Sequence, residues 1–181
     1  NDLGSNATIL TLAAPGAANS IADDQAIIID TTQPTVTGVI ANVVDGTYGI
    51  GAVIDIEVTM DEAVSVAGTP TITLETGAAD AVVSYSGATA TPLTVLTFQY
   101  TVSALEVAAD LDYVATTSLV LAGGTILDAA LNVASLTLQT PGTIGSISDN
   151  QSVIIDGVLP TITEVTSSAV DGSYGVASVM D

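Results

Sequence analysis

The chain has 181 residues, 20 of them Asp or Glu and none of them Lys, Arg or His, so its formal net charge is −20. That balance excludes phosphate-backbone binding, which needs basic side chains, sets the chain against anionic membrane surfaces, and leaves no imidazole for base or zinc chemistry. With no Cys there is no thiol nucleophile, disulfide or iron–sulfur site. Hydrophobic residues still make up 48% and charged ones only 11%, which predicts a packed core rather than a disordered acidic tail. No signal peptide and no run of 18 apolar residues is visible.

Residues 1–30 carry "NATILTLAAPG" and end in "IIID" at Asp30. The same text returns 126 residues later. Laid over residues 127–181, residues 1–55 match at 25 of 55 positions without a gap. Asp30 meets Asp156, Pro34 meets Pro160, and "VDGTYG" meets "VDGSYG". A period of 126 exceeds the roughly 20–50 residues of solenoid coils and suits one globular domain. The division read from it is 1–30, the last strands of a preceding repeat; 31–156, a complete domain; and 157–181, the first strands of the following one. A start and stop in mid-repeat has two readings: a section of a longer chain, which is favoured, or strands exchanged between neighbouring subunits.

Within the complete domain the periodicity is two. Strands are expected near 35–43, 52–60, 70–76, 81–86, 94–103, 112–121, 133–139 and 152–156. In "VIDIEVTM", Ile54, Ile56, Val58 and Met60 face one way and Asp55, Glu57 and Thr59 the other. "LTFQYTV" alternates in the same manner. Turn signals separate the runs, among them Asp45-Gly46, Gly68, Gly77, Gly123-Gly124 and Pro141-Gly142. "SALEVAADL" (103–111) is expected as a short helical turn. The fold class is therefore all-β: an Ig-like antiparallel β-sandwich of seven to eight strands, in tandem repeats of period 126.

The strings "DGTYGIGAVIDIEVTMDEAVSVAGTPTITLETG", "LTFQYTV", "ADLDY", "LAGGTILDAA" and "IIIDTTQPTVT" resemble the bacterial Ig-like tandem repeats of giant secreted surface proteins, of the adhesin, biofilm-matrix and cell-surface filament type. The resemblance covers the whole chain. Two departures are plain: the chain has no Lys, and "DAALN" (128–132) has Leu131 where the family's turn has Gly. The resemblance implies an extracellular or cell-surface setting, and Ca²⁺ within or between domains.

An Ig-like threading sorts the acidic loops to two poles. The entry pole takes the linker after Asp30, a loop at Asp61-Glu62, and the turn holding Asp128. The opposite pole takes Asp45, Asp80, Glu106, Asp110, Asp112 and the exit at Asp156. Acidic poles pressed end to end repel, and hard cations bound by 6–8 oxygens would relieve that repulsion. The candidate metal ligands are Asp30, Asp61, Glu62, Asp110, Asp112, Asp156, Asp45 and Asp171, with Ca²⁺ as the suspected ion. For Asp45 and Asp171, each before a Gly, the favoured reading is a turn former. For Asp30 and Asp156 a junction ligand and a solvated linker stand level. Tyr48 and Tyr174, at equal repeat positions, read as core or corner residues. Sequons at Asn6 and Asn150 lack a counterpart in the other copy and read as chance.

Asp110 and Asp112 as paired glycosidase carboxylates would need a cleft and aromatic platforms, and aromatics are 3%. A Ser triad lacks its His. The expectation is no enzyme but a structural section of an extracellular fibre, filament or adhesin stalk, rigidified by Ca²⁺ at acidic loops and junctions. Its partners would be neighbouring repeats, copies of itself in a fibre, or a surface or matrix component. It would bind no nucleic acid and insert into no membrane. The alternative is a carbohydrate- or protein-binding Ig-like module.

Overall fold

A computed structural model describes residues 11–87 and 92–176. The sequon at Asn6 lies outside them. Among the described residues the chain is all-β with two single helical turns: α1 (Ile21–Asp24), then β1 (Val36–Ala41), β2 (Gly46–Gly49), β3 (Val53–Ala67), β4 (Thr71–Leu74), β5 (Ala81–Ser84), β6 (Leu93–Thr101), β7 (Val107–Ala108), β8 (Leu119–Val120), β9 (Thr125–Leu127), α2 (Ile147–Asn150) and β10 (Val153–Asp156).

The period-two pattern places β3 at the centre. Ile54, Ile56, Val58, Met60, Val64 and Val66 are all buried, and the odd-numbered residues between them face outward. β3 pairs antiparallel with β1 and β6, and its far end pairs with β9. A second sheet has the order β5-β4-β8 and a third β2-β10-β7. All three sheets send side chains into one core, which includes Val39, Ile56, Ile72, Val83, Phe98, Ile126 and Ile155. Tyr85 sits edge-on to Phe98 with centroids 5.7 Å apart and joins the second sheet to β6 through a single bridge.

Several sequence expectations are corrected here. Asp61 and Glu62 are not in a loop: β3 runs straight through them to Ala67. The acidic pair mimics a turn signal, yet the inward parity of 60, 62, 64 and 66 never breaks, and Glu62 holds an inward slot. The ladder to β6 does slip there, between Thr59 and Val64. The segment 133–139 is extended without a continuous ladder, because its amides go to three different segments: Ala134 to Ile126, Ser135 to Pro34 and Leu138 to Thr116. The expected strand 112–121 shrinks to β8 and one bridge at Tyr113. The expected helical turn at 103–111 instead contains β7. Finally, the sheets are not wholly antiparallel. β10 lies parallel to β2, with Val153, Ile154, Ile155 and Asp156 opposite Gly46, Thr47, Tyr48 and Gly49.

Two close approaches depend on glycine. A Cβ on Gly124 would come 2.3 Å from the Ala67 carbonyl oxygen. A Cβ on Gly157, just past β10, would come 2.4 Å from that of Ser103 and 2.7 Å from that of Glu106. Gly157 is gripped there by its own amide, which donates to Glu106 O at 2.8 Å, and by its carbonyl, which accepts from Leu105 at 2.9 Å.

Local geometry repeats at the sequence period. Gly16 N donates to Ser20 Oγ and Gly142 N to Ser146 Oγ, each at 3.1 Å. Gln25 N caps Ile21 O as Gln151 N caps Ile147 O. The hydroxyls of Tyr48 and Tyr174 donate to the carbonyls four residues back, at Val44 and Val170.

At Leu131 the backbone has φ 70, a left-handed conformation that costs a side-chain-bearing residue about 1–2 kcal/mol. The side chain is exposed, so little packing is lost with it. Leu131→Gly is therefore expected to stabilise the domain by about 0.5–1 kcal/mol after the entropy of glycine is counted. Urea unfolding followed by tyrosine fluorescence checks this; an unchanged or lowered midpoint would show that the turn carries no such strain.

Candidate metal site at the domain entry

Three carboxylates meet where the chain enters the domain. Asp30 ends the N-terminal segment, Glu62 sits on β3 and Asp128 follows β9. One oxygen from each lies within 4.8 Å of the others. Glu62 is half-buried and Asp128 buried.

Each is held by its own local structure. The "DAALN" turn folds Asp128 back on itself: Oδ1 accepts from Asn132 N and Oδ2 from Asn132 Nδ2, both at 2.8 Å. Burial acts to raise the Asp128 pKa, but these donors and the amides of Ala130 and Leu131 outweigh it and hold the carboxyl below its usual value. The same Asn132 amide donates to Asp30 O at 3.2 Å, so one side chain ties the incoming chain to the turn. Asp30 Oδ1 accepts from Thr32 N at 2.9 Å. Glu62 has its pKa raised, first by burial and then by the charges of Asp128, Asp30 and Asp61.

Three carboxylates at this spacing can supply a shared set of hard oxygen ligands, which suits a cation such as Ca²⁺ or Mg²⁺ and not a soft metal. The donor set does not discriminate between them.

The other sequence candidates lie elsewhere. Asp61 is next to Glu62 but projects to the opposite face of β3. Its carboxylate accepts from Thr35 N at 2.7 Å and Thr35 Oγ1 at 2.6 Å, and those bonds lower its pKa. Asp112 is buried and accepts from Tyr113 N, Gly142 N and Ser148 Oγ at 2.9, 2.9 and 2.7 Å. It pins the 142–148 segment. Asp110 is exposed on a bend, so the two do not share a face. Asp45 Oδ1 accepts from Ser152 N at 2.9 Å, 107 residues away; it clasps β10 to β2 rather than capping its own turn. Asp156 Oδ1 accepts from Val158 N at 3.1 Å, as Asp30 does from Thr32. Asp171 is exposed.

Asp128 was expected at the entry pole without being counted as a ligand. Its signal was present: Asp2 occupies the equal position 126 residues earlier, and Asn132 stands four residues on, as a partner for an Asp-led turn. No family model matches the chain, and neither a curated protein nor a solved structure matches it.

The sign of the Glu62 effect is testable. A carboxyl whose folded pKa is raised binds protons more readily when folded, so stability falls as pH rises from its unfolded pKa through its folded one. With divalent ions removed, Glu62 therefore opposes folding at neutral pH. Glu62→Gln should raise the Tm at pH 7 in chelator and leave it nearly unchanged at pH 3. A Tm lowered at pH 7 would mean that the charge supports the fold.

Proposed function

We propose that this chain is a section of an extracellular fibre, filament or adhesin stalk. It is built from tandem Ig-like domains of period 126, and divalent cations, Ca²⁺ first among them, brace the junctions. The observation that carries this reading is the repeat itself. Residues 1–55 repeat as 127–181, and segments 126 residues apart, one before the complete domain and one near its end, make the same local hydrogen bonds. Text that recurs at the period of a whole domain points to length more than chemistry.

The junction reading rests on Asp30. It belongs by sequence to the preceding repeat, while Glu62 and Asp128 belong to the complete domain. A cation there would tie two repeats, adding to the bond from Asn132. Asp156 is the equal residue of the next junction. Without a cation the three negative charges repel one another, and nothing basic in the chain offsets them. The absence of Lys and Arg also removes the cleavage sites of trypsin-like proteases, which suits an extracellular setting.

Thermal unfolding with millimolar Ca²⁺, with Mg²⁺ and with added NaCl separates the possibilities. Ligand that binds only the folded state stabilises it by about 2.7 kcal/mol at a hundred times Kd. Ca²⁺ should raise the Tm well beyond the salt control, and Asp128→Asn should remove most of that rise. Equal responses to Ca²⁺, Mg²⁺ and salt would leave the acids as a solvated surface and end the calcium mechanism.

A further inference from the structure

The hairpin between the first and second sheets comes apart. β5 and β6 meet at the bridge between Tyr85 and Phe98, where Ser86 N donates to Thr97 O at 2.9 Å. Carried on in register, the ladder would set Ser84 against Gln99 and Val82 against Thr101. Among the described residues it stops at the bridge: beyond it β5 pairs with β4, and β6 with β3. Val83 and Tyr100 both point into the core, each from its own sheet, so the two strands diverge. The divergence leaves a polar gap of about 400 Å³, lined among others by Asp80, Val82, Ser84, Gln99, Thr101 and Glu106. All of these lie inside the complete domain.

Both walls of the gap are strand edges without a partner. Tyr85 N donates to Pro70 O, on the side of β4. Val102 N donates to Ala52 O, and Val102 O accepts from Gly51 N, on the side of β3. Backbone groups alternate sides along an antiparallel strand. The N–H and C=O of Val82 and of Thr101 therefore face the gap, and both residues are exposed. Such edges invite a further strand.

The gap also carries an acid on each wall. Asp80, just before β5, is exposed and accepts no hydrogen bond among the described residues. Glu106, after β6, accepts from Tyr100 Oη and from Ser103 N, each at 2.7 Å and both at Oε2. Its Oε1 is left without a donor. No Lys, Arg or His of this chain can answer either acid. The complement to the gap is a cation carried on an extended main chain.

We propose that the gap between β5 and β6 binds an extended segment of another protein that bears a Lys or Arg. Its main chain takes up the N–H and C=O of Val82 and Thr101. Its basic side chain donates to Glu106 Oε1 and Asp80. Main-chain pairing supplies affinity, and the two acids select the partner. A second copy of this chain offers strands but no cation, and it brings like charge to like. The inference uses neither the repeat nor a cation at the domain entry, so it stands apart from both.

The test takes the whole chain in chelator at physiological salt. It is titrated with the peptide acetyl-Thr-Val-Lys-Val-Thr-amide and followed by amide NMR. The resonances of Val82 and Thr101 should move most. D80N and E106Q should each weaken binding at least about fivefold, as the loss of a charge-assisted bond does. E164Q removes an equal charge elsewhere and should change nothing. E106Q keeps an oxygen for Tyr100 and Ser103, and D80N touches neither, so a folding defect does not mimic the result. A chain of net charge −20 attracts any cation. The control is therefore the same peptide N-methylated on alternate residues, which keeps its charge, loses ladder donors and should lose most of its binding. Binding that survives N-methylation would mean attraction of a cation alone. That result, an equal response to a peptide with Glu for Lys, or no shift at Val82 and Thr101 up to millimolar peptide would each overturn the proposal.

Discussion

Everything in this molecule is arranged around carboxylates that have no cationic side chain to meet. Twenty acids and no base leave only neutral donors inside the chain. The fold spends backbone amides, hydroxyls and carboxamides on them. Asp61 is held by Thr35, Asp112 by two amides and Ser148, and Glu106 by Tyr100 Oη and Ser103 N, each at 2.7 Å. Asp55 is met by Gln99, and Glu57 by Asn42. Each such bond fixes a loop or a strand edge, so satisfying the acids also shapes the domain. The tyrosines share in this. Burial, Glu106's hydrogen bond and its charge push the Tyr100 phenol up, and burial and the Asp112 charge push Tyr113 up to about 12. Both hydroxyls therefore stay protonated donors, Tyr100 to Glu106 and Tyr113 to the Gln139 carbonyl at 2.8 Å.

The scheme runs out at the domain entry. Each oxygen of Asp128 accepts one bond from Asn132, but Glu62 occupies an inward position where β3 would normally carry Val or Ile. Its neighbours are acids, and its charge is disfavoured by burial and repulsion together. This is the one place among the described residues where three carboxylates crowd within ligand distance. A slip in the β3–β6 ladder falls at the same point, so the sheet is open where the acids converge.

The alternating runs were legible in the sequence because burial of one face is a local, period-two property. β6 and β10 appear where "LTFQYTV" and "VIID" put them, and β3 begins with "VIDIEVTM" but runs on to Ala67. What could not be read depends on distant partners. The segment 133–139 alternates like a strand, yet its amides are divided among three neighbours, and no local pattern encodes that. β2 and β7 are too short to show a period, and the parallel direction of β10 against β2 follows from a return of the chain after more than a hundred residues. At the entry site, Asp30 and Glu62 were legible as acids at a repeat boundary. Asp128 was less so, because Asp in a turn ordinarily serves its own backbone, and here it does that as well.

The clamp around Gly157 has a consequence in time. The β2-β10-β7 sheet is closed by a strand that emerges about a hundred residues after its first partner, so a growing domain waits half-built for its last segment. During that wait an earlier near-copy, residues 11–30, is already present and carries matching text. A chain that repeats itself is always at risk of closing with the wrong copy. At the last step Gly157, which has no Cβ, stands against Thr31, which has a branched one, and the carbonyls of Ser103 and Glu106 admit only the first. The clamp works as a proofreader of succession, favouring the segment that belongs to the domain over the one that came before it.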